Sequence, residues 1–167
     1  MAELLDRVPT QSDVLIDANI FVYGLTAKSP QCQAFLARCS REELTGIALF
    51  ESVNNATHLF MKGEALEKGL CKGKPLEYLK ANPNQVKLLT DYWTNTERLL
   101  ALNLLFLPVE LSIVTGAQPE RKASGLLTND SIIVAAMRGY GVSLIATNDR
   151  QFDTVPGITV FSPTDIP

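Results

Sequence analysis

Histidine is almost missing from this chain: His58 is the only one among 167 residues. A His-based triad or a His-rich zinc site would have to rest on that single imidazole. It falls mid-helix among apolar neighbours, where a structural or surface role fits better. Cysteine is scarce as well. Cys32, Cys39 and Cys71 are odd in number and lack paired metal spacing, so they read as reduced thiols, partly in the core. No apolar run approaches the ~20 residues that span a bilayer. The stretch from Met1 to Asp13 carries Glu3, Asp6 and Arg7 in place of an apolar signal core. These absences set the expectation of a cytoplasmic protein without membrane contact. Positive charge is short too: 15 Lys and Arg against 18 Asp and Glu give a formal net charge of −3. Taken alone, that sum disfavours nucleic acid as a partner. It also counts any acids gathered to hold cations, and bound divalent ions would reverse the local sign.

What is present is one domain's worth of alternating elements, 46% hydrophobic. Val14-Leu15-Ile16 is a short apolar run that ends in Asp17, the pattern of a buried strand. Ala18-Asn19 leads into a helix, and a second runs from Pro30 to about Cys39 behind the N-cap Ser29. Leu44–Leu49 reads as a strand, Glu51 to about Lys62 as a helix with a Val53, Ala56, Leu59, Phe60 stripe. Pro75–Lys80 is a short helix, Gln85 to about Leu102 a longer one, Leu104–Leu107 a strand, and Glu110 to about Ala117 a helix. Thr128-Asn129-Asp130 opens another helix that Gly139 and Gly141 end. Val142–Ala146 and Ile158–Val160 are the last strands. Strand and helix alternate throughout, which predicts an α/β fold: a central, mainly parallel sheet of about five strands with helices on its faces.

The chemistry sits at the ends of these elements. Asp17 ends the first strand and Asp149 follows the fourth, and ligands of open parallel sheets bind outside the strands' carboxyl ends. Glu51 and Asp130 start helices at the same edge. Four converging carboxylates repel one another and raise each other's pKa unless cations fill the space between them. An all-oxygen set suits hard cations, Mg²⁺ or Mn²⁺. Such a site supports in-line attack of water on a phosphodiester, a reaction that needs no histidine. Asn19, Thr147 and Asn148 are neutral groups beside the acids, suited to orienting them or to closing turns. Asp130 and Glu51 also fit the ordinary preference for acids in first turns. The 19-residue interval from Asp130 to Asp149, and the position of Glu51 directly after a strand, favour the functional reading.

The order Val14-Leu15-Ile16-Asp17-Ala18-Asn19, then Phe50-Glu51, then Asp130 ahead of Ala135-Ala136, then Ala146-Thr147-Asn148-Asp149-Arg150-Gln151-Phe152 resembles the PIN domain, and most of all the VapC-type toxins of toxin–antitoxin pairs. The resemblance runs from Val14 to about Val160. It implies a three-layer α/β/α sandwich, Mg²⁺- or Mn²⁺-dependent cleavage of RNA with Asp17, Glu51, Asp130 and Asp149 as metal ligands, a homodimer, and a bound antitoxin. Such a partner is expected to place a basic side chain, an arginine above all, in the acidic pocket, because a guanidinium neutralises carboxylates bidentately.

The stretch from about Lys62 to Arg98 departs from the compact toxin pattern and forms a helical arm. Lys62, Lys68, Lys72, Lys74, Lys80 and Lys87 outnumber Glu64, Glu67 and Glu77 there. The lysines can grip phosphates, with Tyr78, Tyr92 and Trp93 stacking bases. Equally, they can be a solvated surface over aromatics that pack inward. Arg150 can meet a phosphate or pair with a neighbouring acid. Two other functions compete with the ribonuclease: a non-catalytic PIN-like module that binds RNA or protein, and, more distantly, a haloacid-dehalogenase-type phosphatase. The phosphatase needs a second acid two residues after its nucleophilic Asp, where this chain has Asn19.

Overall fold

Val14, Leu15 and Ile16 expose no surface at all, as a strand covered on both faces requires. They belong to β2 (Asp13–Ile16), which pairs in parallel with β3 (Thr45–Leu49) on one side and β5 (Leu144–Ala146) on the other. β4 (Leu105–Leu107) continues the sheet beyond β3, while β6 (Thr159–Ser162) and β1 (Glu3–Leu4) continue it beyond β5. The computed structural model, which describes residues 2–166, thus contains one six-stranded, all-parallel sheet in the order β1-β6-β5-β2-β3-β4.

Alternation along these strands divides the core in two. Val14, Ile16, Ala48, Ala146 and Phe161 face one cluster, with Phe21, Phe35, Phe60 and Leu99 from α1 (Ala18–Leu25), α2 (Pro30–Ser40), α3 (Phe50–Glu67) and α6 (Asp91–Leu100). Leu15, Ile47, Leu49, Ile145 and Val160 face the other, with Ile113 from α7 (Leu111–Ser124) and Val134 and Met137 from α8 (Thr128–Tyr140). Helices therefore cover both faces, the three-layer α/β/α sandwich expected. Each fully buried side chain of this size contributes about 1.5–3 kcal/mol over its exposed state. Cys32 and Cys39 lie in the first cluster; burial pushes their thiols up to about 11 and about 12, which leaves them unreactive. His58 is exposed on α3.

The boundaries differ from expectation in five places. The strand β1 adds a sixth member, because Glu3 and Leu4 pair with Phe161 and Ser162; two residues are too few to show a period. α3 continues past Lys62 to Glu67. The helix expected from Gln85 to Leu102 divides into α5 (Pro83–Val86) and α6, since the Glu64 carboxylate accepts the N–H groups of Thr90 and Tyr92 and starts a new helix there. α7 extends to Ser124 despite Pro119, which lies on its exposed side. Gly141, in the left-handed region at φ 72°, ends α8, and Gly139 stays inside it.

The arm, with α4 (Pro75–Ala81), has its own small core of Ala65, Leu79 and Leu89, against which Tyr78 and Tyr92 pack. Lys68 is engaged by Glu64 and Asp91, and Lys74 by Glu77. Trp93 alone of the three aromatics is half exposed.

Candidate active site

From β2 the chain steps outward to β3 and β4, then returns to the far side of β2 to lay down β5 and β6. The crossovers diverge between β2 and β5, and a crevice opens at such a switch point outside the carboxyl ends. Asp17 and Thr147 are the first residues past those two ends, side by side because Ile16 and Ala146 are paired.

Asp17 is the N-cap of α1. Its Oδ1 accepts the N–H of Ala18 (2.7 Å), and its Oδ2 accepts from Asn19 Nδ2 (2.6 Å) and from Thr147 Oγ1 (2.7 Å). Thr147 is completely buried. Its hydroxyl donates to Asp17 and accepts from Asn19 Nδ2 (3.1 Å) and from the N–H of Asp149 (3.0 Å). The Asn19 amide is oriented by its other end, where Oδ1 accepts the N–H of Asn148 (3.1 Å). Asp149 in turn caps the short 3₁₀ turn Arg150–Thr154 by accepting from the N–H of Gln151 (2.9 Å). One network thus fixes both aspartates relative to each other. Ser162, at the end of β6, locks it from below by donating to the Thr147 carbonyl (2.6 Å). Sequence reading missed Ser162, whose one signal is a polar residue closing an otherwise apolar strand.

Asp130 reaches the same crevice from the first turn of α8. Burial raises its carboxyl above the usual range, and the charges of Asp149 and Asp17 raise it further. Asp17 is raised too: burial leads, Asp149 adds to it, and the hydrogen bonds from Thr147, Ala18 and Asn19 oppose it without winning. Three aspartates therefore share one field. Glu51 is exposed in the first turn of α3 and is not among the charges that raise either carboxyl. Among the described residues no three His, Cys, Asp or Glu side chains are disposed to cage an ion.

The donor set still fits a hard cation. It is all oxygen, and among the described residues no cation stands against the charges that raise Asp17 and Asp130. Magnesium in particular keeps several waters and takes only one or two carboxylates directly. Arg150, beside Asp149, pairs with Asp153 (3.7 Å).

Comparison with known proteins agrees with this architecture. The family described as PIN domain matches residues 14–158. No curated protein matches the chain. Among solved structures, VapBC2 from Rickettsia felis bound to a DNA fragment from its promoter superposes with a TM-score of 0.60 at 13% identity, over 90% of this chain and 98% of that one. A toxin–antitoxin complex from Klebsiella pneumoniae gives 0.57 at 15%, over 87% and 95%. VapC20 of Mycobacterium tuberculosis, a Sarcin-Ricin loop cleaving toxin, gives 0.55 at 10%, over 84% and 92%. At these identities the likeness is one of fold.

Proposed function

The chain belongs to the PIN domain family, and from that premise we propose that it is a metal-dependent endoribonuclease, the toxin of a toxin–antitoxin pair. The observation that carries the reading is the gathering of Asp17, Asp130 and Asp149 about the switch point of the sheet, with the carboxyls of Asp17 and Asp130 raised first by burial and further by neighbouring negative charge. A protein gains nothing in stability from such repulsion, and raised carboxylates in a crevice mark a working site.

In this reading Mg²⁺ or Mn²⁺ would be held by the set Asp17, Asp130, Asp149 and Glu51, one or two of them directly and the others through bound water. The bound cation supplies neutralising charge, a lowered pKa for water and stabilisation of the leaving oxygen. The chain's own residues set the geometry. Thr147 and Asn19 hold Asp17 Oδ2 in place, Thr147 and Asn148 hold the turn that carries Asp149, and the buried strands below admit no slack. The substrate is RNA. By analogy with the neighbouring toxin–antitoxin assemblies the partner is an antitoxin, and the resemblance to VapC-type toxins implies a homodimer as the active form.

The test is cleavage of a panel of single-stranded and hairpin RNAs with Mg²⁺, Mn²⁺ or EDTA, comparing wild type with Asp17→Asn. Metal-dependent cutting by the wild type and a folded, inert variant is the expected result. Equal cutting by both would mean contamination. A second reading, a PIN-like module that binds RNA without cutting it, draws on the exposure of Glu51, which is not among the charges raising Asp17 and Asp130. It takes precedence if partner-free wild type binds RNA and cuts none with any metal.

A further inference from the structure

We propose that Arg121 is a substrate-binding residue that holds an RNA backbone phosphate beside the aspartate cluster. This rests on the ribonuclease reading above. Arg121 lies in the last turn of α7 and reaches across to the first turn of α8, where its Nε donates to Ser131 Oγ (2.8 Å). Ser131 is completely buried and donates its own proton to the Thr128 carbonyl (2.8 Å). The guanidinium is therefore anchored by one edge to a fixed hydroxyl, next in sequence to Asp130.

Its charge has no carboxylate counterpart among the described residues. Among the described residues, the other half-buried arginine, Arg38, pairs with Glu43, as does the exposed Arg41, while Arg138 pairs with Glu120 and Arg150 with Asp153. Arg121 is half buried and has no carboxylate partner there; its Nη1 and Nη2 donate to no atom of the described residues. A partly desolvated cation without a counter-ion is costly unless an anion arrives from outside. A planar fork with its outer donors free matches the two non-bridging oxygens of a phosphodiester. Cations held by the aspartates would draw RNA phosphates to the same place, so guanidinium and cluster would grip neighbouring phosphates of one strand.

The assay is equilibrium binding of a labelled single-stranded RNA of mixed sequence, followed against salt, with Asp17→Asn in every protein to prevent cleavage. Arg121→Gln is expected to bind roughly 5- to 20-fold more weakly. Its slope of log K against log salt should be shallower by about 0.7, the value of one lost phosphate contact on a single strand. Arg121→Lys keeps the charge and is expected to keep the slope while losing part of the affinity. Ser131→Ala, which frees the guanidinium from its anchor, should do the same. Melting curves identify any variant that fails to fold, and Arg121→Lys then carries the comparison. RNA binding by Arg121→Gln with unchanged affinity and slope overturns the assignment and leaves the ribonuclease reading standing. Absence of any RNA binding by the Arg121 parent overturns both.

Discussion

Thr147 and Asp17 are 130 residues apart in the chain, and the hydroxyl of one donates to the carboxylate of the other at 2.7 Å. Parallel pairing of β2 with β5 puts both just past paired strand ends, and the threonine then serves Asp17, Asn19 and Asp149 at once. Thr147→Val keeps the shape and removes the hydroxyl. It should cost about 1–3 kcal/mol, because Asp17 and the Asp149 N–H lose a buried partner. RNA cleavage should fall about 10- to 100-fold through kcat rather than KM. Thr147→Ser should restore most of both. Chemical denaturation and steady-state cleavage check this; wild-type turnover by the valine variant would show that the hydroxyl positions nothing.

Much of this arrangement was legible in the sequence. Apolar runs ending in acids gave the strands and their functional edge. Ser29 and Pro30 marked the start of α2, where Ser29 indeed accepts from the Cys32 N–H. What was not legible depends on contacts between distant segments. β1 has two residues and no pattern of its own, and exists because β6 offers an open edge. The break before α6 depends on a carboxylate in another helix. Arg121 carried no signal, since an unpaired cation is defined by partners that only a fold can deny it.

The helical arm should be sensitive to acid through Glu64. Its carboxylate is buried against α6, accepting from Lys68 Nζ, which also meets Asp91, and from the N–H groups of Thr90 and Tyr92. Burial pushes its pKa up, but these hydrogen bonds outweigh it and the net shift is downward from 4.5. A depressed native pKa stabilises above the ordinary value and loses that stability as pH falls below it. Wild type should therefore weaken below about pH 4.5, and Glu64→Gln should be less stable at pH 7 and show a flatter acid limb. Glu64→Ala should cost roughly 2–4 kcal/mol at pH 7, since it uncaps α6 and strips Lys68 of its partner. Urea titrations at pH 7 and pH 4 decide this; parallel acid limbs for wild type and Glu64→Gln would place the sensitivity elsewhere.

Gly46 in β3 should tolerate no side chain. A Cβ there would stand 2.6 Å from Leu104 Cδ2 and 3.0 Å from both Cys39 Sγ and Ile16 Cδ1. Leu104 can turn aside, but Cys39 and Ile16 are buried in the core. Alanine's usual advantage over glycine within a strand is then outweighed by overpacking of about 1–3 kcal/mol. Gly46→Ala should melt roughly 3–10 °C lower than wild type. An unchanged or higher melting temperature would show that Leu104 yields without loss.

Asp130→Asn should separate the cost of the acidic cluster from its use. The Asp130 carboxyl is raised from 3.8 by burial, then by Asp149 and Asp17. A raised native pKa means that the charged form is worse off folded than unfolded. Stability is thus lost as pH rises from the ordinary value through the raised one, and the loss persists at neutral pH. Removing the charge relieves it, so without metal Asp130→Asn should melt higher than wild type by roughly 1–3 °C at pH 7, and the gain should vanish below pH 3.8. Added Mn²⁺ or Mg²⁺ should reverse the order. Wild type gains stability with the logarithm of free metal above its dissociation constant, and the variant, short of one ligand, gains less. Melting curves over a metal series at pH 7 test both halves. A variant less stable without metal would show that Asp130 makes a favourable contact in the fold; equal metal shifts would take Asp130 out of the ligand set and leave the site to Asp17, Asp149 and Glu51.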